Sequence, residues 1–299
     1  MKISSVYLLT IVSTLFWGAN FPLAGAILHD IAPLWAAALR FTLGALIMII
    51  FISWRGVDLI TPLRRHALAY VLIGAIGIGG FNVLFFFALQ TTSAGNAALI
   101  MATNPLITTL LAAVTLGERP SGRLLLSLPL ALSGVFVVVT GGDMSKLVHL
   151  QDVRGDLLML GANVAWAGYN VLSRSAMPKL PTLTNTTLVM STGALLLLIV
   201  AISSGEPLAM PGLHAGIALA LMVTAGTVLA YLFWNTGIAH LGAGRTALFL
   251  NLVPLFAMLV AAIMGTLPTM VQLTGGALVI GGVSLAMIPF GKSKKAAVT

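Results

Sequence analysis

Long apolar runs alternate with short polar breaks along almost the whole chain. Ten stretches, roughly 6–28, 33–53, 67–90, 95–116, 123–141, 156–177, 183–203, 214–239, 245–265 and 270–290, each come close to the about 20 residues an α-helix needs to cross a bilayer. The breaks carry the punctuation: His29-Asp30, Arg55 to His66, Gly117-Glu118-Arg119-Pro120, Gly141 to Arg154, and Pro178 to Pro181. This pattern predicts an all-α polytopic membrane protein of ten transmembrane helices with no separate soluble domain. The longest break, near 141–155, divides it into residues 1–141 and 156–290, with a basic tail at 291–299.

The two parts resemble each other. A shift of 149 positions brings Trp17 onto Trp166, Gly44-Ala45-Leu46 onto Gly193-Ala194-Leu195 and Gly77 onto Gly226. The same shift pairs Ala94-Gly95 with Ala243-Gly244 and Pro105-Leu106 with Pro254-Leu255, and it slips by one to pair Gly134-Val135 with Gly282-Val283. Five spans per part is an odd number, so the second part enters the membrane from the opposite side, as in the inverted repeats of many secondary transporters. Charge agrees with that arrangement. With the N-terminus inside, twelve Lys and Arg residues fall on the cytoplasmic side (Lys2, Arg55, Arg64, Arg65, Arg119, Arg123, Arg174, Lys179, Arg245, Lys292, Lys294 and Lys295) and two, Lys146 and Arg154, outside. Both termini are expected to be cytoplasmic, in a multi-pass protein of a bacterial inner membrane.

Composition narrows the classes further. With 59% hydrophobic and only 7% charged residues, the chain cannot cover a water-facing surface, which excludes a soluble enzyme, a disordered protein or a coiled-coil rod. The net charge of +8 reads as membrane orientation and not as nucleic-acid binding, because no basic stripe or zinc spacing accompanies it. The absence of cysteine removes disulfides and thiolate chemistry. Lys2, the apolar run from Val6 and Ala24-Gly25-Ala26 imitate a cleavable signal, but the segment has a partner at 156–177 and is expected to be retained.

Leu15-Phe16-Trp17-Gly18, Leu39-Arg40-Phe41, Asn104-Pro105-Leu106, Leu116-Gly117-Glu118 and Leu252-Val253-Pro254-Leu255 occur in that order across the ten spans. In this set the whole chain resembles the EamA family of the drug/metabolite transporter superfamily. The resemblance implies a transporter, commonly an exporter of amino acids and related metabolites, acting as a monomer or homodimer without a cofactor. One departure is clear: where a Gly-Glu pair is expected at the end of the ninth span stands Gly265-Thr266-Leu267, so no symmetric pair of carboxylates exists.

The candidate chemistry is sparse. All seven carboxylates and all five histidines fall in breaks or at span ends, and no nucleophile, metal or hydrolase motif is present. Proton-driven carriers keep an ionisable relay inside the bilayer. Here the one intramembrane charge is Arg40, so weak dependence on a proton gradient is expected, with Glu118 the exception. Arg40 has two readings: a side chain reaching the outer interface, or a partner for a substrate carboxylate. Polar and aromatic side chains recur at helical spacing: Trp17 and Asn20; Asn163, Trp166 and Asn170; Asn82 and Phe85; Tyr231 and Trp234. Buried amides must find partners, so these positions are expected to point inward, as cavity lining or as links between helices. Pro105 and Pro254, flanked by Asn104 and Asn251, are expected as paired hinges that free the carbonyls of Met101 and Leu250. The glycines at 77, 79 and 80 permit bending or close packing, and Ser133-Gly134 and Gly281-Gly282 mark packing faces.

These features point to a secondary transporter for a small-molecule substrate in a lipid bilayer, exporting amino acids with aromatic ones favoured. Trp and Tyr faces stack on rings and attract an ammonium group. The alternatives are a carrier for other metabolites or amphipathic drugs, and a non-transporting scaffold or scramblase.

Overall fold

The computed structural model describes residues 3–117, 122–140, 143, 153–241, 246 and 248–287. Glu118, Arg119, Ala243-Gly244, Arg245 and the basic tail therefore lie outside the described residues. Within them the chain is helical, and no strand occurs.

Six helices are individually long and apolar enough to cross a membrane: α1 (Ile3–Ile27), α2 (Pro33–Trp54), α4 (Ala67–Ala88), α5 (Ala94–Leu116), α8 (Thr182–Ser203) and α9 (Leu213–Leu241, apolar through Gly237). A short α3 (Ile60–Arg65), unforeseen in the Arg55 to His66 break, starts where Asp58 accepts hydrogen bonds from the N–H groups of Ile60 and Thr61. The remaining predicted stretches are also helical: α6 (Gly122–Thr140), α7 (Arg154–Ala176), α10 (Leu248–Ile263) and α11 (Met270–Met287). The protein is thus all-helical and fit for a polytopic place in a membrane.

The two parts interleave. α1 packs on α9 and α10, while α7 packs on α4 and α5; α2 packs on α8, and α6 on α11. The last pair meets through glycine. A Cβ on Gly134 would lie 2.7 Å from the Gly275 carbonyl, and one on Gly275 would lie 2.5 Å from Val138, so only glycine allows the two backbones to approach this closely. Gly281, by contrast, faces open space.

Three helices depart from regular α geometry near their middles. Ala75–Gly80 in α4 and Thr224–Leu229 in α9 widen into π-helical turns, where Phe81 N–H reaches the Ile76 carbonyl and Ala230 N–H the Ala225 carbonyl. Their first residues are 149 positions apart, the shift that aligns the sequence halves. α5 breaks at Ala102-Thr103 into Ala94–Met101 and Asn104–Leu116. α10 opens as a 3₁₀ turn, Leu248–Leu252, before Val253–Ile263. Pro105 and Pro254 each sit in the first turn of the new segment. The expectation of prolines kinking the interior of continuous helices is corrected: at a helix start the missing N–H costs nothing, because that donor has no intrahelical partner anyway.

Candidate functional site

The mid-helix irregularities surround a cavity of ≈ 560 Å³, its open mouth included. α1 contributes Trp17, Asn20 and Phe21; α2, Arg40; α4, Phe81 and Phe85; α5, Met101 and Asn104; α7, Trp166; α9, Tyr231; and α10, Leu250 and Val253. Three pairs of lining residues are 149 positions apart: Trp17 with Trp166, Met101 with Leu250, and Asn104 with Val253.

Aromatic rings form most of the wall. Trp17, Trp166 and Tyr231 meet edge to face with centroids 5.6–6.0 Å apart and planes 81–88° apart, the arrangement that the ring quadrupole favours. Tyr169 stacks on Trp166 at 4.8 Å, and Trp234 backs Trp17 at 4.9 Å. Phe81 joins the ring system through Trp166 and Phe85, and Phe21 through Phe85.

The polar side of the wall is built by Arg40. Its side chain is buried and does not reach an outer interface. Nε donates to the Thr227 hydroxyl at 2.8 Å, Nη1 to Asn82 Oδ1 at 3.2 Å and Nη2 to the Gly226 carbonyl at 3.2 Å. The Gly226 carbonyl and the Thr227 hydroxyl both belong to the π-helical turn of α9. Thr227 in turn donates to Met222 and Asn82 to Ile78, which fixes both acceptors. A guanidinium has five N–H donors, so two remain after these three bonds. All three partners are neutral, and among the described residues no carboxylate pairs with Arg40. A buried charge with neutral partners alone is costly.

Asn20 stands beside it. Its Nδ2 donates at 3.4 Å to the same Gly226 carbonyl, while its Oδ1 is buried with no hydrogen-bond partner. A Cβ on residue 226 would lie 1.9 Å from that oxygen, so glycine is what lets the amide occupy this place.

A second polar group is saturated. Asn104 Nδ2 donates to the carbonyl and Oδ1 of Asn163, and Asn163 Nδ2 donates to the Ile100 carbonyl and the Thr103 hydroxyl. Asn104 Oδ1 accepts from Thr108 and from Asn170. These bonds stitch the α5 break to α7, and the carbonyl they engage is that of Ile100, one residue before the predicted Met101.

Of the sequence-predicted site residues, Trp17, Asn20, Arg40, Phe85, Asn104, Trp166 and Tyr231 line the cavity. Asn82 and Trp234 stand one layer behind, Asn163 and Asn170 hold helices together, and Asn251, whose Oδ1 also lacks a partner, lies off the cavity. Pro105 and Pro254 adjoin it through Asn104 and Val253. Phe21, Phe81, Met101, Leu250 and Val253 were missed as lining. The two phenylalanines had a usable signal, one helical turn from Trp17 and from Phe85. Met101 and Leu250 were marked only as carbonyls four residues before the paired prolines, and Val253 carried no signal.

Comparison with known proteins agrees with this architecture. The EamA-like transporter family matches residues 4–140 and again 153–288. The uncharacterized transporter YyaM of Bacillus subtilis is 37% identical, covering 96% of this chain and 94% of its own. A probable terminal-alkyne amino-acid exporter of Streptantibioticus cattleyicolor is 28% identical over 95% and 94%, and a probable amino-acid metabolite efflux pump of Salmonella typhimurium 26% over 94% of each chain. One crystal structure shares the fold, with a TM-score of 0.67 at 24% identity over 95% of this chain and 96% of the other. The chain belongs to the EamA-like transporter family: it is a multi-pass membrane transporter, not an enzyme.

Proposed function

We propose that this transporter exports amino acids, aromatic ones favoured, by alternating access around the central cavity. Ten transmembrane helices form two inverted five-helix repeats, residues 1–141 and 156–290, with both termini cytoplasmic. The shared 149-residue shift of π-turns and lining pairs, the interleaved packing and the double family match support that arrangement. The observation that carries the substrate class is Arg40, a buried guanidinium on the cavity wall with neutral partners and two unused N–H donors. Such a site attracts a carboxylate and repels a cation, so it favours an acid-bearing metabolite over an amphipathic cationic drug. The edge-to-face aromatic wall then accepts a flat apolar side chain. The names of the Streptantibioticus and Salmonella relatives point the same way.

Inverted repeats expose one central site to the two sides in turn by rocking one bundle against another. Here the breaks at Ala102-Thr103 and Leu252-Val253 are the bending points, both beside the cavity. In the ten-span arrangement the loops after α1, α4, α6, α8 and α10 face outside. Asp30 accepts from Gly212 N–H, the Trp35 indole donates to the Glu206 carbonyl, Thr92 bonds Asp156, and Gln272 bonds Ser93 and Asn96. These four links tie first-part to second-part ends across that face and must open for release.

A counterflow panel in proteoliposomes tests the reading. Labelled phenylalanine, leucine and alanine are expected to exchange, and phenethylamine is expected not to compete. Exchange of cationic amines but not of carboxylates would overturn it. Cysteine introduced at Ser204 is expected to react with an impermeant thiol reagent from outside the cell; protection there would reverse the orientation.

A further inference from the structure

Asn20 and its counterpart 149 residues on, Tyr169, occupy the same kind of place. A Cβ on Gly226 would strike the Asn20 amide, and a Cβ on Gly77 would strike the Tyr169 ring at 2.2 Å. Gly77 and Gly226 are themselves 149 apart, each in a π-helical turn. In one part of the molecule the place is filled by a large ring stacked on Trp166. In the other it holds a short amide whose oxygen has no partner although the residue is only 5% exposed and lines the cavity.

A buried acceptor without a donor is an energetic liability, and its position limits what can relieve it. Asn20 Nδ2 and Arg40 Nη2 share the Gly226 carbonyl, so the amide that carries the unfilled acceptor lies beside the guanidinium. An α-amino acid presents a matching pair, a carboxylate and an ammonium group on adjacent carbons.

We infer that Asn20 is the specificity-determining residue that receives the substrate's α-ammonium through Oδ1 while Arg40 holds the carboxylate. The site thereby distinguishes α-amino acids from the 2-hydroxy and 2-oxo acids of the same skeleton. This assignment rests on the proposal that the cavity is an amino-acid site, and deepens it. An ammonium donates to Oδ1 with charge assistance, whereas a 2-oxo group is itself an acceptor and faces the oxygen repulsively. Arg40 alone cannot make this distinction, since both kinds of acid carry its carboxylate.

The test uses full-length protein in proteoliposomes, with three pairs of substrates: phenylalanine and phenyllactate, leucine and 2-hydroxyisocaproate, alanine and lactate. Wild type is expected to prefer the amino acid of a transported pair by about 5- to 12-fold, the difference between a charge-assisted hydrogen bond and the neutral one a hydroxyl donates. Asn20→Leu, similar in size and without the acceptor, is expected to lose that preference while still carrying the hydroxy acid. Asn20→Asp keeps an acceptor but supplies Arg40 with an internal counter-charge, so carboxylate transport is expected to fall and phenethylamine to begin competing. These two variants change selectivity in different directions, which a general packing defect does not produce. Equal transport of both acids by wild type, or a preference that survives in Asn20→Leu, overturns the assignment and leaves amino-acid transport standing. Should Asn20→Leu fail to fold, an Asn20→Asp protein that still prefers amino acids and ignores the amine overturns it equally. No exchange of any amino acid or hydroxy acid removes both proposals together.

Discussion

Gly77 with Tyr169 and Gly226 with Asn20 are one contact made twice, 149 residues apart, and the two copies do different work. At Gly77 the neighbour is the root of a tyrosine ring, with Cδ2, Cβ and Cγ all within 2.6 Å of where a Cβ would sit. At Gly226 the neighbour is the tip of an amide that also shares a carbonyl with a buried guanidinium. The two places share a glycine contact in a π-helical turn and differ in the chemistry of the side chain that fills them. Asn82, which orients Arg40, matches Tyr231 in the aromatic wall, and Arg40 itself matches Val189. A second guanidinium at that place would add another costly buried charge.

The largest effect expected from breaking this asymmetry comes from Arg40→Met. Amino-acid transport should fall about 100-fold, the value of a charge-assisted pair. The melting temperature in detergent should hold or rise, because a costly charge is gone while Thr227 and Asn82 keep the hydrogen bonds they donate to Met222 and Ile78. A fall in both would assign Arg40 to structure alone.

Alanine at the two glycines sharpens the comparison. Gly77→Ala meets the base of a side chain that cannot swing away, and is expected to cost about 1–3 kcal/mol of stability, read as a lower melting temperature with substrate preference retained. Gly226→Ala meets the end of a flexible side chain, so the amide moves instead. Its melting temperature should change less, and its preference for amino acids over hydroxy acids should drop. Identical behaviour of the two variants would erase the distinction drawn between them.

Smaller effects are expected where the copies are alike. Trp17→Ala and Trp166→Ala each remove ring contacts of about 0.5–2 kcal/mol, weakening transport of an aromatic substrate roughly 2- to 30-fold. Trp54→Ala, 85% exposed at the end of α2, should change nothing measurable in the same assay. The smallest concerns Asp58, outside the membrane. Hydrogen bonds from the Thr61 hydroxyl and from the Thr61 and Ile60 N–H groups hold its carboxyl below the usual carboxylate range. A lowered folded pKa stabilises fully above the unfolded value of about 3.9 and is lost as pH falls through the folded one. Between about pH 5 and 8 the effect of Asp58→Ala on transport should therefore not change with pH, as a flat wild-type-to-variant ratio would show.

What the sequence marked by itself was the helical scaffold and the 149-residue shift that relates its two parts. Helices of bilayer length follow from apolar run length, because an unpaired backbone group in hydrocarbon is too costly for anything but a helix or a closed barrel. The 149-residue shift, and with it the pairing of Trp17 with Trp166, is legible because position along a helix is periodic and survives alignment. Polarity alone likewise marked the asparagines, but Asn20, Asn104, Asn163 and Asn170 look equivalent in a string of letters. Only the tertiary structure separated them, because how many partners an amide finds is set by the helices packed around it. Asn163 has its donors and acceptors engaged, and Asn20 has an oxygen left over. Arg40 shows the same limit. Seven residues from the start of α2 it reads as well for an interfacial side chain as for a buried one. The carbonyl and hydroxyl that hold it come from Gly226 and Thr227, over 180 positions away, in a π-helical turn that no local pattern announces.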